Sequence, residues 1–275
     1  VPGFLHISSP YPYRYEPPAG ISPGVAAADE LEQMILREGP DTVAMFLAEP
    51  VQGAGGVIVP PDDYFPRVRE ICDKYQVLLV ADEVITGFGR TGTMFGLEHW
   101  GIEPDMIQFA KAITSGYFPL SRISVNDEIA GVLDSAEPVW MHAYTYSAHP
   151  VGCAVALRNL DIIEQENFTA QAAEKGAYLL EKLRAALDKH PHVGEVRGLG
   201  LMAAVELVRD RTTKDEFPKE EQIGAKVHAA TQARGVFSRL RGDVYCIAPP
   251  IVITEEQLDR IVAALAESIE EVLGG

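Results

Sequence analysis

Residues 81–92 read Ala81-Asp82-Glu83-Val84-Ile85-Thr86-Gly87-Phe88-Gly89-Arg90-Thr91-Gly92, directly after the apolar run Val77-Leu78-Leu79-Val80-Ala81. A short apolar run closed by glycines reads as a strand buried on both faces. The tail of the stretch fits Gly-x-Gly-x-x-Gly, so a dinucleotide site is one reading. Three features oppose it. Asp82 and Glu83 stand between strand and glycines, where a pyrophosphate would be repelled. Gly96, Gly101 and Pro104 interrupt any long helix opening at Gly92. No acidic residue closes a further strand about 20 residues on, where a ribose needs one. The other reading starts from strand geometry. Side chains two apart point to one face, so Asp82 and Val84 are expected to project together. A carboxylate beside a branched apolar group suits a flat, cationic heteroaromatic ring, the acid on the ring nitrogen and the valine on the ring face.

Working outward, Thr42-Val43-Ala44-Met45-Phe46-Leu47-Ala48 is a second nearly continuous apolar run, expected to be covered on both faces, and Met106-Ile107-Gln108-Phe109-Ala110 is a third. Residues 27–38 place Leu31, Met34 and Ile35 on one helical face, with Gly39-Pro40 as the stop. Phe65, Val68, Ile71, Cys72 and Tyr75 recur at helical spacing between the first two runs. Strand, helix and strand with short connections imply right-handed crossovers and a mostly parallel sheet. Ligands of such sheets gather beyond the carboxyl ends of the strands. Those ends fall at Glu49, at Asp82 and Val84, and at Lys111. A lone lysine closing an apolar strand is costly unless paired or used covalently. Partial burial and nearby cations lower an amine's pKa and free it for Schiff-base chemistry. These are the parts that a pyridoxal phosphate site needs.

Beyond Pro150 the rhythm changes. Residues 151–189 read as one long helix through Val155, Ile162, Ile163, Leu179, Leu180, Leu183 and Leu187. Strand-like pieces follow at 201–208 and 243–248. The last helix opens on a capping box, Thr254-Glu255-Glu256-Gln257, and carries Leu258, Ile261, Val262, Leu265 and Ile269 inward. The expected organisation is a major domain over residues 1–160 and a smaller α+β domain over 161–275.

The 275 residues carry 40 acidic and 23 basic side chains, a formal net charge of −17. That balance argues against nucleic acid and against an anionic membrane surface. No apolar run approaches the roughly 20 residues of a membrane span. The start, Val1-Pro2-Gly3-Phe4, shows no basic segment followed by an apolar stretch, so a cytoplasmic protein is expected. Cys72, Cys153 and Cys246 are far apart and set among apolar neighbours, which fits buried thiols in a reducing compartment and no metal site.

Four ordered blocks carry a resemblance: Glu49-Pro50-Val51-Gln52-Gly53-Ala54-Gly55-Gly56, the 82–92 stretch, residues 110–120 (Ala110-Lys111-Ala112-Ile113-Thr114-Ser115-Gly116-Tyr117-Phe118-Pro119-Leu120), and Tyr144-Thr145-Tyr146-Ser147-Ala148-His149-Pro150. The chain resembles the class III (omega) aminotransferases, pyridoxal 5'-phosphate enzymes of fold type I, down to Ala248-Pro249-Pro250-Ile251-Val252-Ile253-Thr254. The resemblance implies an α/β fold with a mostly parallel sheet. It implies that Lys111 bonds to the cofactor and then moves the proton, that Asp82 keeps the pyridine nitrogen protonated, and that Val84 stacks on the ring. Glu49 and Gln52 then line the phenolic side. Thr145 reaches the phosphate from a partner subunit, from a helix start, so the implied assembly is at least a homodimer with a shared site. Arg239 takes the substrate carboxylate by bidentate pairing, with Arg241 near enough to compete.

Departures narrow the implied reaction. Ornithine- and aminobutyrate-type relatives generally have Gln where this chain has Ile85, and Arg where it has Cys246. Neither Ile85 nor Cys246 binds a second carboxylate, so pyruvate with an amine or omega-amino acid fits better than the glutamate/2-oxoglutarate couple. Ser121-Arg122 replaces small residues after Pro119-Leu120, which changes packing beside Lys111. Relatives also carry a long upstream segment with a Gly-Ser phosphate cup and an aromatic residue on the other ring face. The opening residues resemble a stretch inside a complete enzyme, which implies an N-terminally incomplete chain, weak cofactor binding and little turnover on its own. Two alternatives remain at this stage: a same-fold aminomutase or racemase, and an inactive remnant serving as an interaction module.

Overall fold

The computed structural model describes residues 3–137 and 140–274. The chain divides into two compact units. One comprises Val1–Pro50, Pro60–Phe88 and Met94–Asn167; the other comprises Val51–Val59, Gly89–Thr93 and Phe168–Gly275. The division falls a few residues beyond the expected 160, and two short upstream segments join the C-terminal unit.

In the first unit, α1 (Pro23–Glu38) starts where the Ser22 side chain accepts from the Val25 amide and proline fills the first turn. It stops at Gly39, whose φ of 96° few other residues adopt. Then come β1 (Met45–Ala48), α2 (Tyr64–Tyr75), β2 (Leu78–Asp82), β3 (Met106–Phe109), β4 (Arg122–Val125), α3 (Asp127–Asp134) and α4 (Pro150–Gln165). The sheet order is β1-β2-β3-β4; the first three strands are parallel and β4 is an antiparallel edge. α1 and α2 bury Leu31, Ile35, Phe65, Val68 and Ile71 against Leu79 and Ala81. β1 departs from its expected two-sided cover. Phe46 and Ala48 join that core, while Met45 and Leu47 are exposed. Both helices pack on one core, so strand alternation leaves every second side chain of β1 uncovered among the described residues.

The expected single helix over 151–189 is two. α4 ends at Gln165, Asn167 takes φ 52°, and α5 (Phe168–Leu187) begins in the second unit. Asparagine tolerates that left-handed conformation better than most residues do. α4 stays with the first unit because Asn159 Nδ2 donates to the carbonyls of Ala112 (2.8 Å) and Ile113 (3.2 Å).

The second unit continues with β5 (Val193–Leu199), β6 (Met202–Leu207), α6 (Ile223–Ala233), β7 (Arg239–Arg241), β8 (Val244–Ile247) and α7 (Glu255–Leu273). Its antiparallel sheet runs β5-β6-β8-β7, and all six residues of β6 are buried. Leu179, Leu183, Leu187, Leu207, Tyr245, Leu258 and Leu265 form its core. Full burial of each such leucine is worth about 1.5–3 kcal/mol. The capping box that opens α7 is present, Thr254 and Gln257 satisfying each other's amides.

The glycine cluster has a packing role. Gly89 and Gly92 sit at φ 93° and 99°, and a Cβ on Gly92 would lie 3.0 Å from the Ala173 Cβ. These glycines let segment 89–93 lie against the first turns of α5. Arg90, half-buried, donates to the carbonyls of Leu201 and Pro249. Only the short 3-10 turn Gly96–Trp100 follows, so the helix that a dinucleotide fingerprint must open is absent.

Candidate active site

Three parallel strands leave the first sheet at one edge, and their exits bring Glu49, Asp82 and Lys111 to the carboxyl side of that sheet. Glu49 follows β1 directly and is half-buried. Asp82 closes β2 opposite Gln108, also half-buried. The strand ends there, so Val84 stands in a turn and strand alternation does not place it, contrary to the reading from the sequence. A hydrogen bond ties the two instead: the Val84 amide donates to Asp82 Oδ1 at 3.1 Å.

Glu83, between them, points the other way and is buried. Its carboxylate accepts from the amides of Gly96 (2.8 Å) and Leu97 (3.1 Å) and from the Thr86 hydroxyl. Burial pushes its carboxyl above the usual carboxylate range, against the pull of these hydrogen bonds. It anchors the β2 exit. Sequence reasoning passed over it, although its place between Asp82 and Val84 was the available signal.

Lys111 opens the one-turn 3-10 segment Lys111–Ile113, two residues after β3, with φ 45° and an exposed side chain. A non-glycine residue in that region costs on the order of 1–3 kcal/mol and persists where its surroundings hold it. Asn159 does so by binding the next two carbonyls, and the Thr114 hydroxyl donates to Phe118 O at 2.7 Å. Asn159 is a second residue that local sequence pattern did not single out, because it acts from a helix 48 positions away.

Thr145 is exposed in the turn 145–148, where the Tyr144 amide donates to Ser147 Oγ and the Ser147 amide to Tyr144 O. It does not stand at a helix start as expected, since α4 begins at Pro150 with His149 as its cap. Gln52 and Arg239 belong to the second unit. Gln52 closes a hairpin against Ile58. Arg239 opens β7 opposite Cys246, and both Arg239 and Arg241 are exposed. Cys246 is buried; desolvation pushes its thiol up against the opposing pull of Arg197, Arg239 and Arg241. Cys72 is buried too, but Cys153 is exposed, correcting the expectation for that thiol. α4 buries Gly152, Ala156 and Ile163, which turns Cys153 outward.

The family model "Aminotransferase class-III" matches residues 1–269. The chain belongs to that family. It is 46% identical over 251 residues to the diaminobutyrate–2-oxoglutarate transaminase of Halomonas elongata, covering 89% of this chain and 53% of that protein. It is 43% identical to the putrescine–pyruvate aminotransferase of Pseudomonas aeruginosa, over 98% of this chain and 59% of that one. An (S)-enantioselective omega-transaminase from Thermomicrobium roseum superposes with a TM-score of 0.94 at 50% identity, covering 99% of this chain and 61% of its own. The fold is the α/β fold type I of these transaminases. This chain spans between half and two thirds of the length of these three relatives. Class III aminotransferases depend on pyridoxal phosphate. Among the described residues no helix is long and apolar enough to cross a membrane.

Proposed function

We propose that the protein of which this chain is a part is a pyridoxal phosphate-dependent aminotransferase, taking an amino group from an amine or omega-amino acid to a 2-oxo acid, with pyruvate the favoured acceptor. The observation that carries the reading is the strained, exposed Lys111 beside the strand that ends in Asp82. Those residues fit the cofactor on their own chemistry. Lys111 offers a primary amine at the open edge, Asp82 offers a half-buried carboxylate, and Val84 offers an apolar surface tied to that carboxylate.

Pyridoxal phosphate supplies an aldehyde for exchange with amines and a ring that withdraws electrons from the neighbouring carbon. Lys111 would hold the cofactor through its Nζ, and the same amine would serve as the base that moves a proton at the substrate carbon. Asp82 would hold a proton on the ring nitrogen, and Val84 would offer the ring an apolar surface. Glu49 and Gln52 would also contact the cofactor. Thr145 of the partner subunit would donate its hydroxyl to the phosphate, which would make the working form a homodimer; its exposure on the 145–148 turn supports this. Arg239 pairs with the substrate carboxylate, and its exposed position at the start of β7 leaves it room to do so. The unit that ends at Asn167 would form the cofactor-binding part, and the unit that begins α5 at Phe168 the smaller domain. The free cysteines suit a reducing cytoplasm.

Ile85 and the buried, neutral Cys246 favour pyruvate, because neither pairs with a second carboxylate. Half-reaction rates with alanine and glutamate test this: faster reaction with alanine is expected, and faster reaction with glutamate overturns the acceptor assignment. Racemisation of alanine without transfer to pyruvate would overturn the reaction class.

A further inference from the structure

The segment that carries Gln52 is held by an arginine no motif singled out. Gln52 and Ile58 exchange both backbone hydrogen bonds, at 3.0 and 3.1 Å, closing a hairpin around Gly53-Ala54-Gly55-Gly56-Val57. Val57 takes φ 53°, where a β-branched residue is strained. The Arg197 side chain is buried and forks onto the return of the hairpin. Its Nε donates to Gly56 O at 3.0 Å and Val57 O at 3.1 Å, and its Nη2 donates to Gly56 O at 2.7 Å. Nη1 pairs with Glu195 at 2.7 Å and Glu206 at 2.8 Å, fixing the guanidinium from behind. A Cβ on Gly56 would meet Arg197 Nη2 at 3.3 Å, so the fork is fitted to a glycine. Beside it, a Cβ on Gly55 would lie 3.2 Å from both Cβ and Oε1 of Gln52, so the shape of the hairpin decides where the Gln52 carboxamide rests.

We propose that Arg197 is a positioning residue, clamping the 52–58 hairpin in its strained form and so fixing where Gln52 presents its carboxamide. That Gln52 faces the cofactor rests on the function proposed above. A fork of five donors on a rigid plane can bind two carbonyls and two carboxylates together, whereas an ammonium meets them only as a point charge.

The test is Arg197→Lys in the cofactor-loaded protein and in the protein stripped of cofactor, with Arg197→Lys/Val57→Gly alongside. Lysine keeps the charge beside Glu195 and Glu206 but loses the fork. Deuterium exchange at the Gln52–Ile58 amides of the stripped protein should quicken roughly tenfold, and the Kd for pyridoxal phosphate should rise by a similar factor. Val57→Gly removes the strain at φ 53° and should restore most of both, which a merely structural arginine would not show. If Arg197→Lys leaves exchange at these amides unchanged, the clamp is overturned. Quickened exchange with unchanged Kd, while Gln52→Ala raises Kd, overturns the positioning role alone. Quickened exchange with unchanged Kd in both variants overturns it by removing Gln52 from the cofactor site, which is a failure of the function assigned to that residue. Should Arg197→Lys not fold, the relaxed double variant carries the same exchange and binding measurements; unchanged values in it support the clamp, and a hairpin still loosened overturns strain as its object.

Discussion

β1 of the first sheet and β6 of the second are covered in opposite ways. In the N-terminal unit, β1 half-buries Phe46 and Ala48, and Met45 and Leu47 are exposed at 49% and 42%. In the C-terminal unit β6 is buried at all six positions between β5 and β8, with leucines of α5 and α7 in the same core. The sheet that contains β1 is the one whose carboxyl edge gathers Glu49, Asp82 and Lys111 and which stores strain at Lys111. The sheet built around β6 offers rigidity: a closed core, capped α7, and the buried Arg197 cluster. Chemistry and stability are thus carried by different residues, and single substitutions should separate them.

The largest separation is expected at Lys111. Lys111→Ala should lower kcat on the order of 10^4-fold while leaving Tm within a degree or two, since the side chain is exposed. A matching collapse of Tm would break the comparison. Asp82→Asn follows, with a fall on the order of 10^2- to 10^3-fold in kcat/KM and little change in the far-ultraviolet spectrum. In the other unit the effect inverts. Leu183→Ala, at a fully buried core position, should cost about 3 kcal/mol in denaturant unfolding, whereas Leu47→Ala should stay within about 0.5 kcal/mol. Equal losses would show that β1 is covered as fully as β6. The smallest effect belongs to His190. Burial holds its imidazole below the ordinary histidine value, with His192 adding to the shift and Glu270 and the Gly274 backbone opposing it. The folded chain therefore binds fewer protons there than the unfolded chain as pH falls through that range, and stability declines with acidification. His190→Gln should flatten the decline of Tm between pH 7 and 5.

Much of this division was readable in advance, for identifiable reasons. Apolar runs and Gly39-Pro40 marked the parallel strands and the end of α1, because turn chemistry and periodicity are local. The capping box at Thr254 did the same for α7. What escaped depended on distant partners. β1 looked covered on both faces because an apolar composition does not say how many layers pack on a strand. The helix break at Asn167 hides in one left-handed residue within a continuous helical pattern. Val84 seemed strand-bound because the strand's end at Asp82 is set by the Asp82–Val84 hydrogen bond and the Glu83 anchor. The glycines of 87–92 matched a phosphate motif, yet Gly89 and Gly92 pack against α5, which no spacing rule conveys. Arg197, Glu83 and Asn159 bind backbone carbonyls or amides from elsewhere in the chain. Such contacts leave no periodic trace.

The amine at position 111 carries the proposed chemistry. Borohydride reduction of the cofactor-loaded protein, followed by digestion and mass spectrometry, should locate a phosphopyridoxyl group on the peptide containing Lys111. The same treatment of Lys111→Ala should leave that peptide unmodified. A label on any other lysine, or an unlabelled Lys111 peptide from fully loaded protein, would contradict the assignment.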